Sequence, residues 1–135
     1  MEMVFYEKPG CAGNTRQKHQ LLRAGIDLEV RDLLSTPWDV AALTPFLAGR
    51  EIGEWFNPNA PDIKSGVVNP ELLTKEEALA LLVSEPILIK RPLILYKGEH
   101  ILGFDLGRLC TLIPTLGRFS PVDPGNCTGQ DRCGQ

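Results

Sequence analysis

The first candidate for chemistry is Cys11, which follows the stretch FYEKPG at residues 5–10. The Pro-Gly pair ends an apolar strand and should expose the cysteine where a polar helix begins. A thiol there faces unpaired backbone N–H groups and the positive end of the helix dipole, which both favour the thiolate. Lys8 and Arg16 lie close in sequence and could add positive charge. The stretch predicts a nucleophile with a lowered pKa; the alternative is a half-buried cysteine without a role.

A second candidate is the arginine in ILIKRPLIL, residues 87–95. Arg91 directly precedes Pro92, which opens an apolar strand and removes no ladder hydrogen bond at that end. The proline could be cis. A guanidinium is a forked donor suited to an oxyanion or a carboxylate. Alone, Arg91 is better interpreted as a solvated side chain, and it becomes a site residue if the fold brings this strand end beside Cys11.

Two further cysteines, Cys127 and Cys133, lie in NCTGQDRCG near the C-terminus. The intervening residues are flexible enough to close a disulfide, and a tail could carry either thiol to Cys11 because loop closure costs rise slowly with length. The hypothesis is oxidation of Cys11, attack by a tail cysteine, and exchange to the tail pair. The alternatives are two exposed cysteines without a role, or three thiolates for a transient metal or iron–sulfur species. Cys110 is predicted to be a core residue.

Length and charge limit the classes of protein that fit. The chain has 135 residues and a net charge of −3, enough for one domain and without the bulk charge that nucleic acid or anionic membranes select. No apolar run could span a bilayer and no secretory leader is visible, so we expect a cytoplasmic protein with reduced thiols. We expect a monomer with one domain at residues 1–118 and a flexible tail at 119–135.

The first elements are predicted as strand, helix and strand. A buried strand is expected at residues 2–6, a helix at 12–24 and an alternating strand at 26–32. This order favours two parallel strands joined by a right-handed crossover.

The middle of the chain is predicted to be a helical insert. Thr36 resembles an N-cap, and Pro45 should kink or end that helix early. Residues 54–66 suggest a loop anchored by two aromatic side chains, and Thr74 begins a capping box.

A hairpin is predicted after the insert, with strands at 92–96 and 100–104, and Asp105 can cap a last helix. The order β-α-β, helical insert, β-β-α predicts a mixed α/β sheet with two parallel and two antiparallel pairings. This is the thioredoxin-like arrangement, with its insertion between strands two and three.

The segments FYEKPGCAGNTRQ and EPILIKRPLIL together resemble the arsenate reductase family of thioredoxin-like proteins, which includes the Spx-type transcription regulators. The resemblance covers about residues 3–118. It is nearest to the nitrogenase-associated branch, through EKPGCAGNTRQK, VRDLL and EWFNP. It implies a nucleophile at Cys11, an anion-contacting Arg91 and a cis Pro92.

The sequence departs from the family pattern at the anion site. Glutathione-dependent arsenate reductases carry two further arginines, which align near Asn57 and Gly103 here. Each lost charge-assisted hydrogen bond is worth roughly 1.5–3 kcal/mol, so reduction of arsenate itself is not expected. The Cys-x-x-Cys pair typical of Spx-type regulators is also absent, because Asn14 stands at the second position, and Arg16 is one residue short of a Cys-x5-Arg motif.

The leading interpretation is a thiol-dependent oxidoreductase with Cys11 and Arg91 as catalytic residues. The predicted supporting residues are Lys8, Asn14, Arg16 and Pro92. Its second thiol would come from glutathione, a glutaredoxin or thioredoxin-type protein, or its own tail; no bound cofactor or metal is expected. The alternatives are a non-catalytic module that docks on a protein partner, and an Spx-like regulator that binds RNA polymerase. A role beside nitrogen fixation is implied only by the resemblance.

Overall fold

Four strands form one mixed sheet in the computed structural model, which describes residues 2–119. They are β1 (Met3–Glu7), β2 (Leu28–Asp32), β3 (Leu93–Tyr96) and β4 (Glu99–Leu102). Their order across the sheet is β2-β1-β3-β4. The β1–β2 pair is parallel, whereas β1–β3 and β3–β4 are antiparallel. The predicted β-α-β and β-β-α units are therefore confirmed, and the fold is thioredoxin-like. The predicted number of pairings was wrong, because four strands in one open sheet make three pairings, one parallel and two antiparallel.

Five α-helices accompany the sheet in the described part of the chain. They are α1 (Ala12–Arg23), α2 (Val40–Leu47), α3 (Pro61–Lys64), α4 (Lys75–Ser84) and α5 (Leu106–Leu112). Short 3-10 turns lie at Ile52–Trp55, Pro70–Leu72, Pro86–Leu88 and Pro114–Phe119. The insert between β2 and β3 thus contains α2, α3 and α4.

Two apolar clusters cover the two faces of the sheet. Successive strand residues point to opposite faces, so that Phe5 packs with residues of α1 and α5, while its neighbour Tyr6 packs with the insert. Trp38 and Phe46 stack edge-to-face near Tyr6. These contacts hold the insert against the sheet. The predicted anchors in residues 54–66, Trp55 and Phe56, are buried in the same cluster.

The start of α2 differs from the prediction. Asp39, not Thr36, is the N-cap, and its carboxylate accepts a hydrogen bond of 2.7 Å from the N–H of Ala42. The indole of Trp38 is buried and donates to the carbonyl of Leu33 at 2.9 Å. Burial of this ring fixes the chain before Asp39, which delays the helix by one turn. Pro45 lies inside α2, which ends two residues later at Leu47.

The other predicted caps are confirmed. Thr74 and Glu77 form the capping box at the start of α4, and Asp105 accepts from the N–H of Arg108 at the start of α5. The proposed loop at 54–66 is partly helical because α3 lies within it. The tail cysteines Cys127 and Cys133 lie outside the described residues.

Candidate functional site

Cys11 lies at the N-cap of α1, as predicted. Its Sγ accepts a hydrogen bond of 3.4 Å from the backbone N–H of Asn14. Its carbonyl accepts the N–H of Thr15 at 3.1 Å, the first bond of the helix. The helix therefore directs one of its otherwise unpaired N–H groups at the sulfur.

The environment of this sulfur differs from the prediction, because Cys11 is only 1% exposed. Among the described residues, Cys110 is a free cysteine that is partly buried against the core. Burial of the sulfur raises the free energy of its thiolate, while the helix N–H groups lower it. The two effects oppose each other.

A chain of buried amide groups lies beside Cys11. The side chains of Asn14 and Gln17 are each 1% exposed. Asn14 Oδ1 accepts the backbone N–H of Lys8 at 3.2 Å, and Asn14 Nδ2 donates to Gln17 Oε1 at 2.9 Å. Asn14 thus connects the end of β1 to the first turn of α1. The sequence indicated Asn14 mainly as a missing second cysteine, and it gave no sign of Gln17.

Arg91 and Pro92 lie at the same edge of the sheet as Cys11. In the β1–β3 register Tyr6 faces Leu93, so the end of β1 lies beside the start of β3. The Arg91–Pro92 peptide is cis, and Pro92 O accepts the N–H of Gly103 at 2.8 Å. Three segments therefore meet at this edge: the turn before α1, the Arg91–Pro92 step and the end of β4. Arg91 itself is 8% exposed.

The two positions where family arginines were expected are occupied differently. Asn57 is 5% exposed, and its Oδ1 accepts the N–H of Asn59 at 3.1 Å, while its Nδ2 has no hydrogen-bond partner among the described residues. At Gly103 a Cβ atom would lie 2.7 Å from Cε of Lys90. The Lys90 chain therefore occupies the space that a side chain at position 103 would need. Lys90 was missed, although it directly precedes Arg91 in the sequence.

An ionic network ties the insert to the end of the sheet. Arg50 pairs with Asp105 at 3.0 Å and with Glu54 at 3.3 Å. The pKa of Glu54 is lowered, chiefly because its carboxylate accepts the backbone N–H of Glu51, and further by Arg50 and Lys90. Arg50 and Glu54 lie in the insert, and Asp105 lies after the end of β4, so the network joins these two segments.

The remaining predicted side chains contribute less to the geometry. Lys8 is partly buried and contacts the site through its backbone, and Arg16 is exposed on α1. Of the two histidines, His19 is exposed. His100 is partly buried, and its ring packs edge-on against Phe46 at 4.7 Å. Within residues 2–119, no cluster of three metal-ligating side chains was found.

Comparison with known proteins identifies the family. The model of the ArsC family matches residues 6–109. A 15.7 kDa uncharacterized protein in the draG 3′ region of Rhodospirillum rubrum is 38% identical over 129 residues, 96% of this chain and 90% of that protein. This chain belongs to the ArsC family, and its resemblance to arsenate reductases and Spx-type regulators is confirmed.

Other relatives agree with this assignment. The regulatory protein MgsR of Bacillus subtilis is 27% identical over 113 residues, 82% of this chain and 90% of that protein. A possible arsenate reductase from Streptococcus mutans is similar in structure, with a TM-score of 0.66, 28% identity, and coverage of 77% of this chain and 92% of that one. An ArsC family related protein from Bacteroides fragilis has a TM-score of 0.72 and 25% identity, with coverage of 83% of this chain and 98% of that one. In the described part of this chain no helix is long and apolar enough to cross a membrane.

Proposed function

We propose that the protein is a thiol–disulfide oxidoreductase in which Cys11 is the nucleophile and Arg91 binds the anionic group that forms there. The observation that carries the proposal is the position of Cys11 Sγ, 3.4 Å from a backbone N–H of the first turn of α1. This N–H and the helix dipole both stabilise a thiolate. The compartment we propose is the cytoplasm, where the thiol is kept reduced.

Arg91 supplies the charge that burial of the sulfur requires. A guanidinium that is 8% exposed is held by acceptors or anions, since buried charges are costly alone. It lies at the edge of the sheet that Cys11 shares, and a guanidinium there is a forked donor that can bind a thiolate or the carboxylate of a substrate. Lys90, which precedes it in the sequence, keeps further positive charge near this edge.

The proposed reaction is a series of thiol–disulfide exchanges. The Cys11 thiolate attacks a substrate disulfide RSSR, forms a Cys11–S–S–R bond and expels RS⁻, which takes up a proton. A tail thiolate, Cys127 or Cys133, then attacks the Cys11 sulfur and releases the second RS⁻. Exchange to a Cys127–Cys133 disulfide frees Cys11. Two glutathione thiols, or a glutaredoxin or thioredoxin-type dithiol, reduce the protein again and become the oxidised product.

The test is a stoichiometric reaction with 2-hydroxyethyl disulfide. The reduced wild-type protein is expected to release two thiols per chain. The C127S/C133S double variant should release one and retain a mixed disulfide on Cys11, as read by peptide mass spectrometry. The matched control C110S should behave as the wild type. Thiol release by C11S at the wild-type rate would contradict the proposal.

A second candidate is a regulatory module that binds a protein partner. It is favoured by the relative named regulatory protein MgsR and by the absence of the family arginines at Asn57 and Gly103. In this case C11S would keep partner binding, and RNA polymerase is the partner that the Spx-like resemblance suggests. Co-purification of polymerase with both wild type and C11S would support this candidate over the enzyme.

A link to nitrogen fixation belongs to the same proposal. It rests on the nitrogenase-associated resemblance and on the relative encoded in the draG 3′ region. Deletion of the gene in its host should slow growth on dinitrogen while leaving growth on ammonium unchanged. Equal growth of the deletion strain and its parent on both nitrogen sources would contradict the link.

A further inference from the structure

The proposed reaction assigns no role to the buried amide groups beside Cys11. Asn14 contacts the nucleophile and the preceding loop at the same time: its backbone N–H donates to Cys11 Sγ at 3.4 Å, and its side-chain oxygen accepts from Lys8 N at 3.2 Å. Lys8 is the residue directly after β1. One residue therefore joins the end of the strand, the turn and the sulfur.

Gln17 determines which end of the Asn14 amide faces Lys8. Its Oε1 accepts Asn14 Nδ2 at 2.9 Å, which leaves Oδ1 directed at the Lys8 N–H. If the Asn14 amide were reversed, its NH2 group would face the Lys8 donor and the two oxygens would face each other. Both side chains are 1% exposed, so water cannot easily replace either bond.

We infer that Asn14 and Gln17 are positioning residues that hold the turn before α1 and thereby lower the pKa of the Cys11 thiol. Neither side chain touches the substrate in this account; both act through the N–H of residue 14 that points at Sγ. The inference deepens the proposed function and rests on it. It also gives a reason for asparagine at position 14, since a cysteine there would offer one sulfur, a weak donor and a weak acceptor, in place of the two separate polar atoms of the amide.

The experiment measures the pH dependence of Cys11 alkylation in the fully reduced chain, with iodoacetamide as the probe. The variants are N14A, Q17M and the matched control Q20M, which makes the same Gln→Met change on the same helix. Gln20 accepts no hydrogen bond from Asn14. Circular dichroism establishes that each variant is folded, and amide exchange of Lys8 reports the Asn14 Oδ1 bond directly.

N14A is expected to raise the pKa of Cys11 by about one unit, the equivalent of one typical hydrogen bond. Q17M should raise it by a smaller amount, about half a unit, because only the orientation of Asn14 is lost. Lys8 amide exchange should accelerate in both, and Q20M should match the wild type in both measurements. If N14A fails to fold, the pKa of Cys11 and the Lys8 amide exchange in Q17M test the inference by themselves.

The outcomes separate this inference from the proposed function. If Q17M and any folded N14A lose protection at Lys8 but keep the wild-type pKa of Cys11, the amides are merely structural and the inference is overturned. An ordinary pKa in the wild type would instead count against the proposed nucleophile. The difference between each variant and the wild type tests the positioning role whatever the wild-type value is.

Discussion

Lys90 crosses over Gly103 at the end of β4, with its Cε atom 2.7 Å from where a Cβ on Gly103 would lie. Gly103 has φ of +75° and donates its N–H to Pro92 O. The backbone conformation favours glycine, and a Cβ atom there would also have to displace the flexible end of the Lys90 side chain. This close approach places a positively charged side chain beside the Arg91–Pro92 step.

Replacement of this glycine should destabilise the fold in two separable ways. G103A must adopt a left-handed conformation, which costs about 1–2 kcal/mol, and must also displace Lys90. The control is G98A, since Gly98 has φ of +82° and open space around it. In urea unfolding we expect G103A to lose more stability than G98A, and we expect the excess to vanish in a K90A background. An excess that persists in K90A would show that Lys90 is not the obstacle.

The two carboxylate oxygens of Asp105 have different roles. Oδ1 accepts the N–H of Arg108 and caps α5, while Oδ2 pairs with Arg50 at 3.0 Å. D105N keeps a cap acceptor and loses the charge, so a loss of about 0.2–1 kcal/mol is expected for this partly exposed pair. D105A also removes the cap, a further loss of about 0.5–2 kcal/mol.

The loss of stability from the missing charge and the loss from the missing cap should respond differently to salt in denaturant unfolding. The difference between wild type and D105N should shrink in 1 M sodium chloride, because salt screens ion pairs. The further loss in D105A should persist, since it is the loss of a cap. Equal stability of D105N and D105A would mean that the carboxylate does not cap α5.

Glu54 should make stability depend on pH in acid. Its pKa is lowered in the folded protein, first by the backbone N–H of Glu51 and then by Arg50. A carboxyl group with a lowered folded pKa stabilises the fold above its unfolded pKa, and this contribution is lost as the pH falls through the folded value. The unfolded reference is 4.5.

E54Q tests this linkage, because glutamine keeps an acceptor for the N–H of Glu51 but carries no charge. The stability difference between wild type and E54Q should be constant from pH 7 to about pH 6 and should decline below the reference value. E71Q, at an exposed glutamate in the insert, is the control. A difference that grows as the pH falls would have the wrong sign and would contradict the assignment.

The parts of the fold that follow from local patterns were predictable. Alternation identified β1 and β2, the Lys-Gly pair identified the β3–β4 turn, and side-chain oxygens identified the caps at Thr74 and Asp105. The start of α2 was not predictable, because Thr36 and Asp39 are both good N-cap residues. The choice between them depends on burial of the Trp38 ring, which is a tertiary contact.

The site was predictable in its reactive groups but not in their surroundings. The strand–turn–helix pattern indicated Cys11, and the Arg-Pro pair indicated the edge that the sheet register then placed near it. Gln17 lies in a polar helix and has the composition of a solvated residue, although the fold buries it. Lys90 has the same character, and its contact with Gly103 joins two segments that no sequence pattern connects.

The most direct test of the account is the pKa of the Cys11 thiol in the reduced wild type, measured by alkylation across pH with peptide mass spectrometry. Cys110, half-buried on α5, is the internal reference. We expect Cys11 to titrate well below the ordinary thiol value of about 8.5 and R91M to shift it upward, since a nearby cation favours the thiolate. A Cys11 that titrates at or above the ordinary value, unchanged in R91M, would contradict the claim that this site carries a nucleophile.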